Sequence, residues 1–263
     1  MDSTDASLLQ YAAMVAGLGA DTQVDYVHVS PAGKTMEERP GIHIVAGDRV
    51  DALLEFAVAQ RTDLILLGHR RQRSGRRSLA RRLAMQAPCS VWMAPESAPA
   101  SIRRIVAPID YSRRSADALS MATAIAEAAG LEDCLAPHVH FNQAAISFDE
   151  YEEIIAEQEY QNFNLFIAPI DLHGVHVKPL FLEGGNVART ILRVAEQHGA
   201  DLLVMGTRGR SRSAAILLGS ETEHVMMETR IPILVVKHFG ARLGLLKVLL
   251  DKRLRERGDE RFT

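Results

Sequence analysis

Apolar residues fall along this chain in two alternating patterns. Short, nearly continuous runs of Val, Ile and Leu are separated by longer stretches in which apolar positions return every three or four residues. In the C-terminal half the runs are Ile105–Ile109, Leu135–Phe141, Val175–Leu182, Leu202–Met205 and Ile233–Val236. Their lack of polar alternation predicts strands buried on both faces, as in a parallel sheet covered by helices. The periodic stretches predict helices over Arg114–Ala129, Phe148–Asn162, Asn186–His198 and Ser220–Glu228. Ser147-Phe-Asp-Glu150 is a capping-box signal opening the second of them. Strands and helices in this order predict a doubly wound α/β domain.

The pattern occurs twice. Asp63-Leu-Ile-Leu-Leu-Gly68 matches Asp201-Leu-Leu-Val-Met-Gly206. An amphipathic stretch precedes each, VDALLEFAVAQRT from Val50 and VARTILRVAEQHGA from Val187, and a short apolar run follows, PCSVWMAP from Pro88 and IPILVVKH from Ile231. DASLLQYAAMVAGLGA near the start matches SADALSMATAIAEAAG in the second half. Two tandem doubly wound parallel-sheet domains, Rossmann-like or flavodoxin-like, are expected over residues 1–97 and 101–238. The linker-like PESAPAS at Pro95–Ser101 divides them, and a tail covers residues 239–263. The first copy is short at its front, because its opening helix begins almost at Met1. Either the strand matching Ile105–Ile109 lies upstream of Met1, or this sheet is filled another way. The first copy also has only Pro31–Pro40 where the second carries a helix. The Val-rich final strands, Ser90–Met93 and Ile233–Val236, suggest that the copies pair edge to edge as an intramolecular pseudo-dimer, with a homodimer as a further expectation.

With 263 residues, 47% hydrophobic and 24% charged, the composition is that of an ordinary globular protein, and 5% aromatics makes the core aliphatic. No apolar run approaches the roughly 20 residues that span a bilayer. The acidic, polar start lacks a signal-peptide profile. Cys89 and Cys134 stand far apart without CxxC spacing, which excludes a disulfide framework and a zinc ribbon and reads as two thiols in the cytoplasm. A net charge of −3 gives no overall reason to expect nucleic acid.

The candidate chemistry lies after the strand ending at Met205. Gly206-Thr-Arg-Gly209 is followed nine residues later by Gly219-Ser220 at a helix start. Ligands of α/β sheets bind outside the carboxyl ends of the strands. Glycine bends there let backbone N–H groups approach an anion, and a helix start adds free amides and partial positive charge. The arrangement reads as a phosphate cradle. It is neither a GxxxxGK[ST] loop, since no Lys precedes Ser220, nor a GxGxxG loop.

The spacing Gly-x2-Gly-x9-Gly-Ser, MGTRGRS at Met205–Ser211, IVAPIDYS at Ile105–Ser112 and the IPILVV ending together resemble the universal stress protein family, as a tandem member. The resemblance implies an adenine nucleotide alpha hydrolase-like fold holding ATP, or ADP or AMP, with Mg²⁺ as an accompanying ion. It implies that Asp110 accepts hydrogen bonds from the nucleoside end, that Pro108 and Ile109 line the same wall, and that Val139 contacts adenine. Met205 is then near the ribose or base. Gly206, Gly209, Gly219 and Ser220 surround the phosphates, with Thr222 and Arg208 nearby. The plainer reading of Asp110 is a helix cap or turn residue.

The first copy departs where it matters. Arg71 stands at the place of Gly209, Arg77-Ser78 falls opposite Gly219-Ser220, and the intervening loop is four residues shorter. ATP binding in the family manner is not expected there. Its basic loop, His69–Arg77 with Arg81 and Arg82, reads as a solvated surface ahead of an anion or RNA patch, because no aromatics interleave. His138 and His140 share a strand face, but no third ligand has metal spacing, so they and His173 and His176 read as ordinary histidines. Glu150, Glu152, Glu153, Glu157 and Glu159 read as an acidic solvent face, and Ala241–Gly258 as an amphipathic helix docking on a domain or partner.

Three functions compete: an ATP-binding stress-response sensor or regulator, a non-catalytic interaction module with a vestigial pocket, and an enzyme that cleaves ATP. The sequence has no HIGH-like or SGGxDS-like motif and no carboxylate pair placed for metal-assisted attack. Binding, with slow hydrolysis at most, is the expectation.

Overall fold

The computed structural model describes residues 3–19, 22–31, 40–69, 79–95, 99–140, 149–207 and 218–237. The chain divides into two compact units, Met1–Ser101 with Lys237–Thr263, and Ile102–Val236. Outside the described residues lie Ser147 of the expected capping box, most of the basic loop, and the amphipathic tail.

The first unit contains α1 (Ser3–Leu18), β1 (Tyr26–Ser30), β2 (Ile42–Ala46), α2 (Arg49–Ala59), β3 (Leu64–His69), α3 (Leu79–Gln86) and β4 (Ser90–Pro95). β1 pairs in parallel with β2, and β3 with β4. α2 is started by Asp48, whose carboxylate accepts from the N–H groups of Val50 at 3.0 Å and Asp51 at 3.3 Å. Those backbone bonds hold the Asp48 carboxyl below its usual range. Among the described residues no strand precedes α1.

The second unit contains β5 (Ile105–Val106), α4 (Arg113–Ala128), β6 (Asp133–His140), α5 (Asp149–Ile167), β7 (His176–Glu183), α6 (Val187–Gln197), β8 (Leu202–Gly206), α7 (Ser220–Glu228) and β9 (Ile233–Val236). Its strands run in the order β9-β8-β5-β6-β7, all parallel. This is the doubly wound arrangement expected from the pattern. It also explains the first unit. The repeat places β3 and β4 at the positions of β8 and β9, and β1 and β2 at those of β6 and β7. Among the described residues no strand takes the central place, that of β5, and the β1–β2 and β3–β4 pairs share no ladder with each other.

β5 is shorter than the expected Ile105–Ile109, for a covalent reason. Ala107 and Ile109 donate to the carbonyls of Leu135 and Pro137 on β6, at 2.8 and 2.9 Å. Position 108 therefore faces β8, and Pro108 has no N–H to offer it. The ladder to β8 ends at Val106 and Leu203, while contact with β6 continues to a bridge between Ile109 and His138. The lower end of β5 is tied down by Asp201, whose Oδ2 accepts from the backbone N–H of Arg103 at 2.9 Å and of Arg104 at 3.1 Å. α4 is buried along much of its length. Ala118, Ala122, Ala124 and Ala126 keep it close to the sheet, and Leu119, Met121 and Ile125 fill the space between.

α5 runs to Ile167, five residues beyond the expected end, because aromatic packing continues past Asn162. Tyr160 and Phe163 meet Phe181 of β7 edge-on, with ring centroids 4.9 and 6.3 Å apart.

Asp201→Ala is expected to leave two exposed backbone donors to water and to lower the stability of the second unit by about 0.5–1.5 kcal/mol in urea titration. Burial, with a smaller contribution from the Asp133 charge, pushes the Cys134 thiol up to about 12 from 9.0. The folded state then holds the thiol proton more tightly than the unfolded chain. The linked stability is complete below about pH 9 and is lost as pH rises toward 12. Cys134 is accordingly expected to resist a thiol reagent at pH 8 in the native chain and to react once urea unfolds it.

Candidate functional site

At the carboxyl edge of the second unit's sheet, the helices following β5 and β8 leave toward opposite faces, and a cleft opens at this switch in winding. Its volume is about 950 Å³. The walls come from Pro108–Tyr111 beyond β5, Pro137–His140 of β6, Met205 and Gly206 of β8, and Gly219–Thr222 opening α7. Ser115 of α4, Glu159, Asn162, Leu165 and Phe166 of α5, and Val187 and Ile191 of α6 complete them. Of the residues singled out from the sequence, Pro108, Ile109, Asp110, Val139, Met205, Gly206, Gly219, Ser220 and Thr222 meet around this one cavity. Arg208 and Gly209 lie outside the described residues.

Several of these residues also serve the fold. Asp110 Oδ1 accepts from the Ser112 N–H at 3.1 Å, closing an Asx turn, while Ser112 itself caps α4 by accepting from Ser115 N–H at 3.2 Å. Asp110 is thus a turn residue, not the helix cap, and it lines the cleft as well. A Cβ on Gly206 would stand 2.7 Å from the Arg114 carbonyl oxygen, so this glycine is required by the first turn of α4 packing on β8. Thr222 donates its hydroxyl to the Gly206 carbonyl at 2.8 Å, which fastens α7 to the end of β8. Gly219 has an ordinary extended conformation, φ −70° and ψ 145°, and its N–H donates to the Thr207 carbonyl at 2.6 Å. Behind Val139, a Cβ on Gly184 would come within 2.5 Å of Thr190 Oγ1.

The N-termini of α4, α6 and α7 all border the cleft, giving it partial positive charge. Glu221 in the first turn of α7 opposes that charge, but its Oε2 accepts from the Ala188 N–H of α6 at 3.0 Å and so also serves as a cap.

The sequence did not single out Tyr111, Phe166 or Glu221, and it placed Glu159 on a solvent face. Glu159 instead lines the cleft with its side chain 16% exposed, and its Oε2 accepts from Tyr111 Oη at 2.7 Å. Glu157, two residues earlier, does lie at the surface. The His138 ring stacks at a tilt on Tyr111, centroids 4.3 Å apart, and Tyr111 meets Phe166 edge-on at 5.4 Å. His138 Nδ1 lies 3.0 Å from the Ile109 carbonyl, which can only accept, so Nδ1 carries the hydrogen. Its Nε2 stands 3.7 Å from Glu159 Oε2. Among the described residues no group of three or more His, Cys, Asp or Glu side chains is placed to hold a metal ion.

The family model of the universal stress proteins matches residues 34–95 and 101–237, which is most of the chain and both copies of the repeat. The chain belongs to the universal stress protein family. Among curated relatives, universal stress protein MJ0531 of Methanocaldococcus jannaschii is 35% identical over 91 residues, 35% of this chain and 53% of the relative. Universal stress protein MJ0577 of the same organism is 45% identical over 47 residues, 18% of this chain and 29% of the relative. These matches thus span about a third to a half of the relatives' own length. A universal stress protein structure from Archaeoglobus fulgidus has a TM-score of 0.58 at 16% identity, over 90% of this chain and 93% of that one. A functionally unknown protein from Pseudomonas aeruginosa reaches 0.63 at 19% identity, over 92% of this chain and 91% of that one. At such identities the structural matches show the shared fold.

In this family member, Gly206→Ala is expected to force α4 away from β8 and to cost about 1–3 kcal/mol of stability, read by denaturant titration. Gly184→Ala should be similarly harmful, and combining it with Thr190→Ala should recover part of the loss. No recovery in the double variant counts against the contact at Thr190.

Proposed function

We propose that this chain is an adenine-nucleotide-binding universal stress protein of the cytoplasm. Its second unit holds ATP, or ADP or AMP, and occupancy of that site serves as a signal in stress response. The observation that carries this reading is a single cleft in which Asp110 and Val139 stand on one side and Gly219-Ser220 at the start of α7 on the other. Its volume falls within the range of small-molecule sites. The aromatic and aliphatic wall around Tyr111, Phe166, Ile109 and Val139 suits a flat base. The hydroxyl and amide of Ser220 at a helix N-terminus suit phosphate, and Mg²⁺ accompanies the nucleotide on its phosphates. Among the described residues the first unit has no strand that would supply a counterpart of Asp110, and in this reading it binds no nucleotide.

The protein works here as a binder, and ATP turnover is expected to stay below about 1 s⁻¹, the low end of ordinary enzymes. A second reading, a non-catalytic interaction module with a vestigial pocket, is favoured by the structural duties of Gly206, Thr222 and Asp110, each of which the fold uses without any ligand.

Nucleotide at a hundredfold above its dissociation constant should stabilise the second unit by about 2.7 kcal/mol, visible as a rise in melting temperature. Gly209→Val combined with Gly219→Val should abolish that rise. Purified protein that releases no nucleotide on denaturation and shows no thermal response to added ATP supports the interaction module instead.

A further inference from the structure

Building on the nucleotide reading, we propose that Glu159, steered by Tyr111, selects the base. Its one uncommitted carboxylate oxygen accepts a hydrogen bond from a single exocyclic amine, so the cleft takes 6-aminopurines in preference to 6-oxopurines.

Glu159, Asn162 and Phe166 recur at helical spacing and present one face of α5 to the cavity. Tyr160 and Phe163 pack against β7 instead, which fixes the rotation of the helix. Two groups address Glu159 Oε2: the Tyr111 hydroxyl at 2.7 Å and, farther off, His138 Nε2 at 3.7 Å. Among the described residues nothing donates to Oε1. A carboxylate can only accept, so a molecule that fills the cleft and displaces its water must bring an N–H to that oxygen or leave it unpaired. The neighbouring surfaces are flat or aliphatic, namely Tyr111, Phe166, Ile109 and Val139. An aromatic heterocycle carrying an amine satisfies both conditions.

The Tyr111 bond decides which amine. A guanine edge offers two adjacent donors, N1–H and the 2-amine, and a carboxylate meets them best with both oxygens. Tyr111 occupies one of these. Adenine offers its 6-amine alone beside an acceptor nitrogen, matching the single oxygen left. Hypoxanthine seated as adenine is would turn its 6-oxo group toward the carboxylate, acceptor against acceptor, and could present its N1–H only by shifting along the wall. Tyr111 is well held for this task. Its backbone has φ +61°, a left-handed conformation that bulky residues rarely adopt, and the Asx turn at Asp110 and the ring contacts with His138 and Phe166 keep it there.

The test is titration of the full chain with ATP, ITP and GTP, by calorimetry and thermal shift. Wild-type protein should bind ATP at least about tenfold more tightly than ITP or GTP. Glu159→Gln carries an amide that both donates and accepts, so its ATP-to-ITP ratio should collapse toward unity while its melting temperature without nucleotide stays unchanged. Tyr111→Phe frees Oε2, and GTP should gain on ATP. Equal binding of ATP and ITP by wild type, or an undiminished ratio in Glu159→Gln, overturns the assignment while leaving nucleotide binding standing. Failure of every nucleotide to bind removes the nucleotide reading and this inference with it. Should Glu159→Gln not fold, an unchanged ATP-to-GTP ratio in Tyr111→Phe is by itself enough to reject the role of the pair.

Discussion

One missing hydrogen sets where the cleft of the second unit opens. Beyond Val106 the next residue directed at β8 is Pro108, which cannot donate, so the two central strands stop pairing while the sheet around them continues. The break coincides with the reversal of strand order, where the helices after β5 and β8 already leave toward opposite faces. A cavity therefore opens at the middle of the sheet's carboxyl edge. Because Ala107 and Ile109 still bond to β6, the chain past β5 is guided along that strand, and Asp110 and Tyr111 arrive beside His138 and Val139.

The residues around the cavity are rarely free of structural work. Gly206 admits the first turn of α4, Thr222 fastens α7 to β8, Asp110 shapes the turn that Ser112 uses to start α4, and Glu221 joins the starts of α6 and α7. Each contact lies at a helix N-terminus, where backbone N–H groups lack partners and side chains or neighbouring carbonyls must organise them. The same shortage of partners draws anions to such places. A cluster of helix starts can thus be a folding requirement and a binding surface at once, and glycine and hydroxyl residues are economical at both.

Much of the fold is legible in the sequence because the second unit's strands are continuous apolar runs and its helices begin at recognisable caps. β9 and α7 occupy the residues expected of them, and the other edges move by a residue or two apart from two cases. β5 is cut short because a single imino acid outweighs an apolar run. α5 is extended because Phe163 and Phe166 have partners from distant parts of the chain, which local periodicity does not contain. The same reason hid part of the site. Pro108–Asp110 and Gly219–Thr222 sit in recognisable motifs at strand and helix ends. Tyr111 and Glu159 are 48 positions apart and meet only when α5 lies across the sheet. Glutamate in an acidic stretch looks solvated, and nothing in its neighbours in sequence signals that this one turns inward.

The two copies share a plan but not a cooperativity. In the second unit β8, β5 and β6 each have a strand on either side, so none can be released without disturbing the whole sheet. In the first, β1 and β2 pair only with each other among the described residues, and a two-stranded ribbon is marginal without further support. That support comes from α2, which packs on β1 and α3. What a missing neighbour strand would have supplied must come from one helix, so the Asp48 cap that starts α2 bears on β1 and β2 as well as on the helix itself.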